Sequence, residues 1–262
     1  MTERRRPTPR AVLGTVALLA AVLVCVRLGF WQLDRLQQRR ALNARVAERM
    51  AAPALEGAGA LADTARSLYR RVALTGQYDD ARSIILPGRS LRGTPGVHLL
   101  TPLRIRSDEA VLINRGWVPA ADGATIPVDS FPAAPAGPAE VRLTGLAVPL
   151  PVSDRPAGTG AGEFRQVWYR VNFQALQAQF PYHLLPVQLQ LLPSPGTPPY
   201  PARLDPPALD AGPHLSYAIQ WFSFAAIGVI GWLALVRRSR RSGQSAEPVA
   251  DPAPGAHPGG KA

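Results

Sequence analysis

Two stretches of this chain are long and apolar enough to cross a bilayer, and they bound the folds open to it. Residues 11–33 read "AVLGTVALLAAVLVCVRLGFWQL", with Arg27 as the one charged side chain. Residues 215–236 read "LSYAIQWFSFAAIGVIGWLALV", with no charge at all. About 20 apolar residues in a helix cover a hydrocarbon core roughly 30 Å thick. A cleaved signal peptide is the competing reading of the first stretch. It fits less well, because the run exceeds the roughly 7–15 residues of a signal core and no small-x-small cleavage site follows. Residues 34–213 are too polar to span. The predicted fold class is a membrane protein of the α+β kind, with two transmembrane helices flanking a mainly antiparallel β extracytoplasmic domain.

The net charge of +11 arises from 29 basic and 18 acidic residues, and its placement follows the spans. Residues 1–10 carry +3 and residues 237–262 carry another +3. Short basic flanks stay on the cytoplasmic side of a bacterial membrane, whereas long translocated domains ignore that rule. The chain therefore reads as multi-pass in the bacterial cell membrane, with both termini cytoplasmic. Residues 1–10 form a cytoplasmic N-terminus, 34–213 the extracytoplasmic domain and 237–262 a disordered cytoplasmic tail. A nucleic-acid partner would call for a basic patch concentrated within the fold, so none is expected.

Beyond residue 33 the helical pattern continues to about residue 50, with no proline before Pro53. From Arg70 the pattern turns to short runs rich in Val, Ile, Leu and Thr, bounded by Gly, Pro, Asp or Asn: "RRVALTGQYD", "RSIILPGRS", "GVHLLTPLRI", "AVLINRGWVPA" and "EVRLTGLAVP". Their spacing predicts a small antiparallel sheet or barrel. A short helix is expected from about Phe173 to Phe180, stopped by Pro181. The strand "YHLLPVQLQLLP" contains Pro186, which predicts an edge or a break. In "NRGWVP", Gly116 suggests a bulge, with Trp117 in the core and Arg115 at the surface.

Catalytic signatures are missing from the sequence. The one cysteine, Cys25, lies in the first span, so the domain has no disulfide and no thiolate metal site. No histidine pair has zinc-ligand spacing, and no phosphate-binding glycine motif or nucleophile elbow occurs. His98, inside an apolar strand, reads as a structural histidine. His214 is different, because it stands at the mouth of the second span. On a helix it shares a face with Ala218, Trp221, Ala225 and Gly228. Neutral imidazole is a common haem ligand, and this face is flat and apolar. The alternative makes His214 a helix-end residue, with Tyr217 and Trp221 as interfacial aromatics. Arg27 either snorkels to headgroups or pairs with a haem propionate.

Several stretches in order resemble the Surfeit locus protein 1 family: "LGFWQLDRLQQRRALN", "VALTGQYD", "ILPGRS", "GVHLLTPL", "VLINRGWVP" and "HLSYAIQWF". The resemblance covers residues 28–235. It departs at Pro213, where the family commonly has Asn before the histidine. It implies a non-catalytic assembly factor for haem-copper cytochrome c oxidase, which binds haem a and aids its insertion into the oxidase core subunit. The site residues so implied are His214, as ligand of the haem iron, with Trp221, Tyr217 and Arg27 around it. The partners implied are the oxidase core subunit, haem a synthase and the lipid bilayer. A membrane-anchored extracytoplasmic enzyme of unknown substrate is the competing function.

Overall fold

The computed structural model describes residues 9–126, 140–151 and 164–244. Residues 4–6 of the basic N-terminal flank, most of the Pro-rich loop before residue 140, and the tail from residue 245 lie outside them. The chain divides into two compact units, residues 1–41 with 211–262, and residues 42–210.

The first unit is built on two helices. Helix α1 runs from Pro9 to Ala51 and helix α4 from His214 to Gln244. Pro9 opens α1, where its missing N–H costs nothing, and the helix stops just ahead of Pro53. The helices are antiparallel. Gly29 of α1 meets Phe222 of α4, whereas Leu18 and Val22 meet Gly228. The contact stripe on α1 includes Gly29, Gln32 and Leu36, all buried, and on α4 it includes Ala218 and Ala225. Small residues on both sides let the backbones approach, as helix pairs without a water-driven core require. The outward faces carry large apolar side chains, with Leu23 at 70 % and Ile227 at 66 % exposure. Both helices are long and apolar enough to cross a membrane.

Helix α4 is longer than its apolar stretch. Residues 237–244, assigned above to a disordered tail, continue it to Gln244. The arginine-rich segment there is free of proline, and Arg has good helix propensity, so the established turn propagates.

The second unit holds seven strands: β1 (Leu55–Glu56), β2 (Arg71–Tyr78), β3 (Ile84–Leu91), β4 (Thr94–Arg104), β5 (Glu109–Pro119), β6 (Val141–Pro149) and β7 (His183–Gln190). Two short helices join them, α2 (Thr64–Ser67) and α3 (Phe173–Gln177). The order is β1-β2-β6-β7-β5-β4-β3, and β2 also pairs with β4 at Tyr78–Leu103, which closes a barrel. Strand β4 pairs with β3 along its first half and with β2 at its end. The β3–β4 turn is a two-residue hairpin at Arg92 and Gly93, both at positive φ, the geometry that suits the twist of antiparallel strands.

Alternation along the strands makes the interior. Val72, Leu74, Leu103, Val111, Ile113, Val187 and Leu189 point inward, and Leu61 packs with them. The other face of β5, Ala110 and Leu112, is covered by Trp168, Val171, Leu176 and Phe180. That cover explains why β5 is apolar on both faces.

The sheet corrects one expectation and decides another. It is mixed rather than simply antiparallel, because β1 pairs parallel with β2 and β5 parallel with β7. A parallel neighbour needs a crossover, and the chain supplies one through α3 before β7 enters beside β5. Of the edge or break expected at Pro186, the strand shows the break, since it is interior to the sheet. Between the pairs Ala110–Leu184 and Leu112–Gln188 the register shifts, so Pro186 sits in a bulge where its absent N–H breaks no ladder bond. Helix α3 ends at Gln177, earlier than Phe180.

Candidate functional site

The candidate site lies within the helix pair. His214 opens α4, and the Pro213 carbonyl accepts the Tyr217 N–H in a bond of 3.1 Å. That backbone bond starts the helix without an asparagine cap. The His214 ring reaches across to α1, where its Nδ1 lies 2.9 Å from Gln32 Oε1. An amide oxygen can only accept, so the proton of this bond is on Nδ1. In the neutral ring Nε2 would then carry the lone pair, the form in which imidazole binds a metal.

Gly212 stands beside that second nitrogen. Its φ is +73°, a conformation that favours glycine, and a Cβ built there would lie 3.5 Å from Nε2 and 3.4 Å from Cδ2. A side chain there would meet the Nε2 edge of the ring in van der Waals contact. Ala218, one turn along α4, is 1 % exposed, and half-buried Trp221 follows on the same stripe. The Trp221 ring meets Phe224 edge to face at 5.9 Å.

Not all the residues singled out in the sequence join this cluster. Tyr217 is 47 % exposed and turns away from the stripe. Arg27 is exposed and, five positions before Gln32, lies about 140° around the helix from it. No hydrogen bond or ion pair joins Arg27 to another described residue. Arg35 bonds Gln38 at 3.0 Å on the exposed side of α1. Gln32 was missed by the sequence reading. Its signal was there: an uncharged polar side chain inside "GFWQL", on the helix face of Gly29 and Leu36, needs a buried partner.

The β domain engages its polar groups otherwise. His98 is half-buried, and its Nδ1 accepts from Asn114 Nδ2 at 3.5 Å. Burial, with the Arg89 charge second, pushes its pKa down to about 4. Gly116 has φ 132°, and its backbone passes so close to the Ala202 carbonyl that a Cβ would collide with it. The bulge expected at Gly116 is present, between the pairs Leu99–Gly116 and Leu100–Asn114. Trp117 is buried, but Arg115 is not a simple surface residue. It lies over the Tyr78 ring at 5.1 Å and pairs with Asp80 at 2.9 Å. Asp79 accepts from Arg82 and from the Tyr182 hydroxyl. Among the described residues, no group of three or more His, Cys, Asp or Glu could hold a metal ion.

Comparison with known proteins matches residues 19–226 to the SURF1 family. A SURF1-like protein of Monosiga brevicollis is 29 % identical over 246 residues, 88 % of this chain and 91 % of that protein. An uncharacterized SURF1-like protein of Mycobacterium tuberculosis is 30 % identical over 191 residues, 70 % of this chain and 66 % of the relative. A SURF1-like protein of Rickettsia felis is 33 % identical over 105 residues; that match spans 45 % of the relative's length.

Proposed function

Because the chain belongs to the SURF1 family, we propose that it is a membrane-bound assembly factor for haem-copper cytochrome c oxidase that holds haem a at His214. The observation that carries this reading is the state of the His214 ring, with Nδ1 bonded to Gln32 and Nε2 beside the bare Gly212.

Each part of the helix pair has a task in this account. His214 Nε2 would supply the nitrogen that binds the iron. Half-buried Trp221 would offer a flat apolar surface two turns further along α4, whereas Ala218, 1 % exposed, is closed off within the contact stripe. The bound haem supplies an iron centre that accepts the nitrogen donor. The exposed apolar side chains of α1 and α4 lie in the bilayer, with the arginine flanks on its cytoplasmic side and the β domain opposite. The β domain then docks on the oxidase core subunit, and haem a synthase is the source of the cargo. The family is one of assembly factors, so no catalytic role is assigned.

Oxidase haem content tests the proposal. In cells lacking the native gene, the wild-type chain restores haem a to the core subunit. The His214→Ala chain, present in the membrane at equal amount, restores much less. Full restoration by that variant would contradict the role given to His214.

A further inference from the structure

Resting on the haem reading above, we propose that Gln32 is a positioning residue that selects which nitrogen of His214 is presented, and that Gly212 keeps that nitrogen accessible. The two act on opposite edges of one ring.

A free imidazole exchanges its proton between Nδ1 and Nε2, and only the nitrogen without the proton can bind iron. Gln32 removes the ambiguity, because Oε1 at 2.9 Å from Nδ1 has lone pairs and no proton to give. Nε2 therefore carries the lone pair. Ring rotation is restrained as well, since turning the imidazole breaks the bond to α1. Gln32 is 9 % exposed, so water is a poor substitute for the lost partner. Metal-binding histidines commonly hold their second nitrogen by such a bond, and removing the partner costs about 10–100-fold in affinity. Gly212 acts by shape: a methyl group 3.5 Å from Nε2 would occupy space that a macrocycle must enter.

The bond also crosses between helices. Gln32 is on α1 and His214 on α4, so the ligand is competent only when the pair is closed at this end. A chain in which the helices separate loses the tautomer and the orientation together. Loading of the carrier is thereby tied to assembly of the helix pair.

Two readouts on the full chain in detergent test this. The first needs no haem: nitrogen-15 spectra of histidine-labelled protein should show His214 protonated on Nδ1, and Gln32→Leu should yield a mixture of tautomers. The second is titration with ferric haem a. Gln32→Leu should weaken binding about 10–100-fold, and Gln32→Glu, which keeps an acceptor oxygen, should retain the wild-type tautomer and most of the affinity. Gly212→Ala should weaken binding while leaving the tautomer unchanged. A wild-type spectrum with the proton on Nε2 would overturn the proposal, as would a Gln32→Leu protein with unaltered tautomer and affinity. Unchanged haem binding by His214→Ala would instead overturn the haem reading, and the nitrogen-15 result would still judge Gln32. If Gln32→Leu fails to fold, the wild-type spectrum and the Gln32→Glu variant decide.

Discussion

Gly29 of α1 faces Phe222 of α4 so closely that a Cβ at position 29 would lie 2.6 Å from the ring carbon Cε1. Gln32 is one turn further along α1, so this close approach brings it within reach of His214. A methyl group could be met by a small shift of the ring, but a branched side chain cannot. Gly29→Ile should separate the helices, cost about 1–3 kcal/mol through overpacking and break the Gln32–His214 bond. A lower melting temperature in detergent, together with a changed His214 nitrogen-15 spectrum, is the expected result. An unchanged spectrum would mean that the helices do not depend on this contact.

The β domain should lose stability in mild acid through His98. Its pKa falls from an ordinary 6.5 to about 4 in the folded chain. The unfolded chain therefore takes up a proton first as pH falls. Stability is complete above pH 6.5, declines by about 1.4 kcal/mol per pH unit below it, and levels off near pH 4. Partial solvent access to the ring limits the total to about 2–3 kcal/mol. His98→Gln, which keeps an acceptor for Asn114, should flatten that slope in denaturant titrations repeated across this range.

Gly116 is constrained twice over, by its backbone angle and by a neighbouring backbone. At φ 132° any side chain is strained, and the obstacle is the backbone carbonyl of Ala202, which cannot swing aside. Ala202 and Trp117 exchange two hydrogen bonds of 2.7 and 2.8 Å at this point. Gly116→Ala should cost about 3 kcal/mol and loosen the buried Trp117. Trp117 near-ultraviolet dichroism during thermal unfolding would report it, and a wild-type melting curve would exclude the strain.

Membrane topology is a further expectation. Alkaline phosphatase fused within the β domain, after Asp205, should be active, and fused after Gln244 it should be inactive. The reverse pattern would place the arginine flanks outside and remove the basis for the orientation.

How far the residues foretold these features depends on the range of the interaction. Helix and strand runs depend on neighbours a few positions apart, so the spans and the runs from Arg70 were readable from spacing alone. Gly116 was readable too, since glycine between Arg115 and Trp117 marks a place where a side chain will not fit. The parallel pairing of β5 with β7 was not, because no local pattern tells which strand a crossover will join. Pro186 was readable in part: local chemistry forbids it a ladder bond, which predicts an edge or a break, and only the partner strand shows that the break is what occurs. His214 was conspicuous on its own helix. Its partner Gln32 lies 182 positions away, and periodicity carries no information over that distance.

The most direct measurement of the central claim is the visible spectrum of the full chain, purified in detergent from cells that make haem a. The wild-type protein should show a haem a Soret band. That band should be lost or markedly shifted in His214→Ala, with the variant still inserted in the membrane. An identical band in the two proteins would contradict the account, because the iron would then be held by some group other than His214.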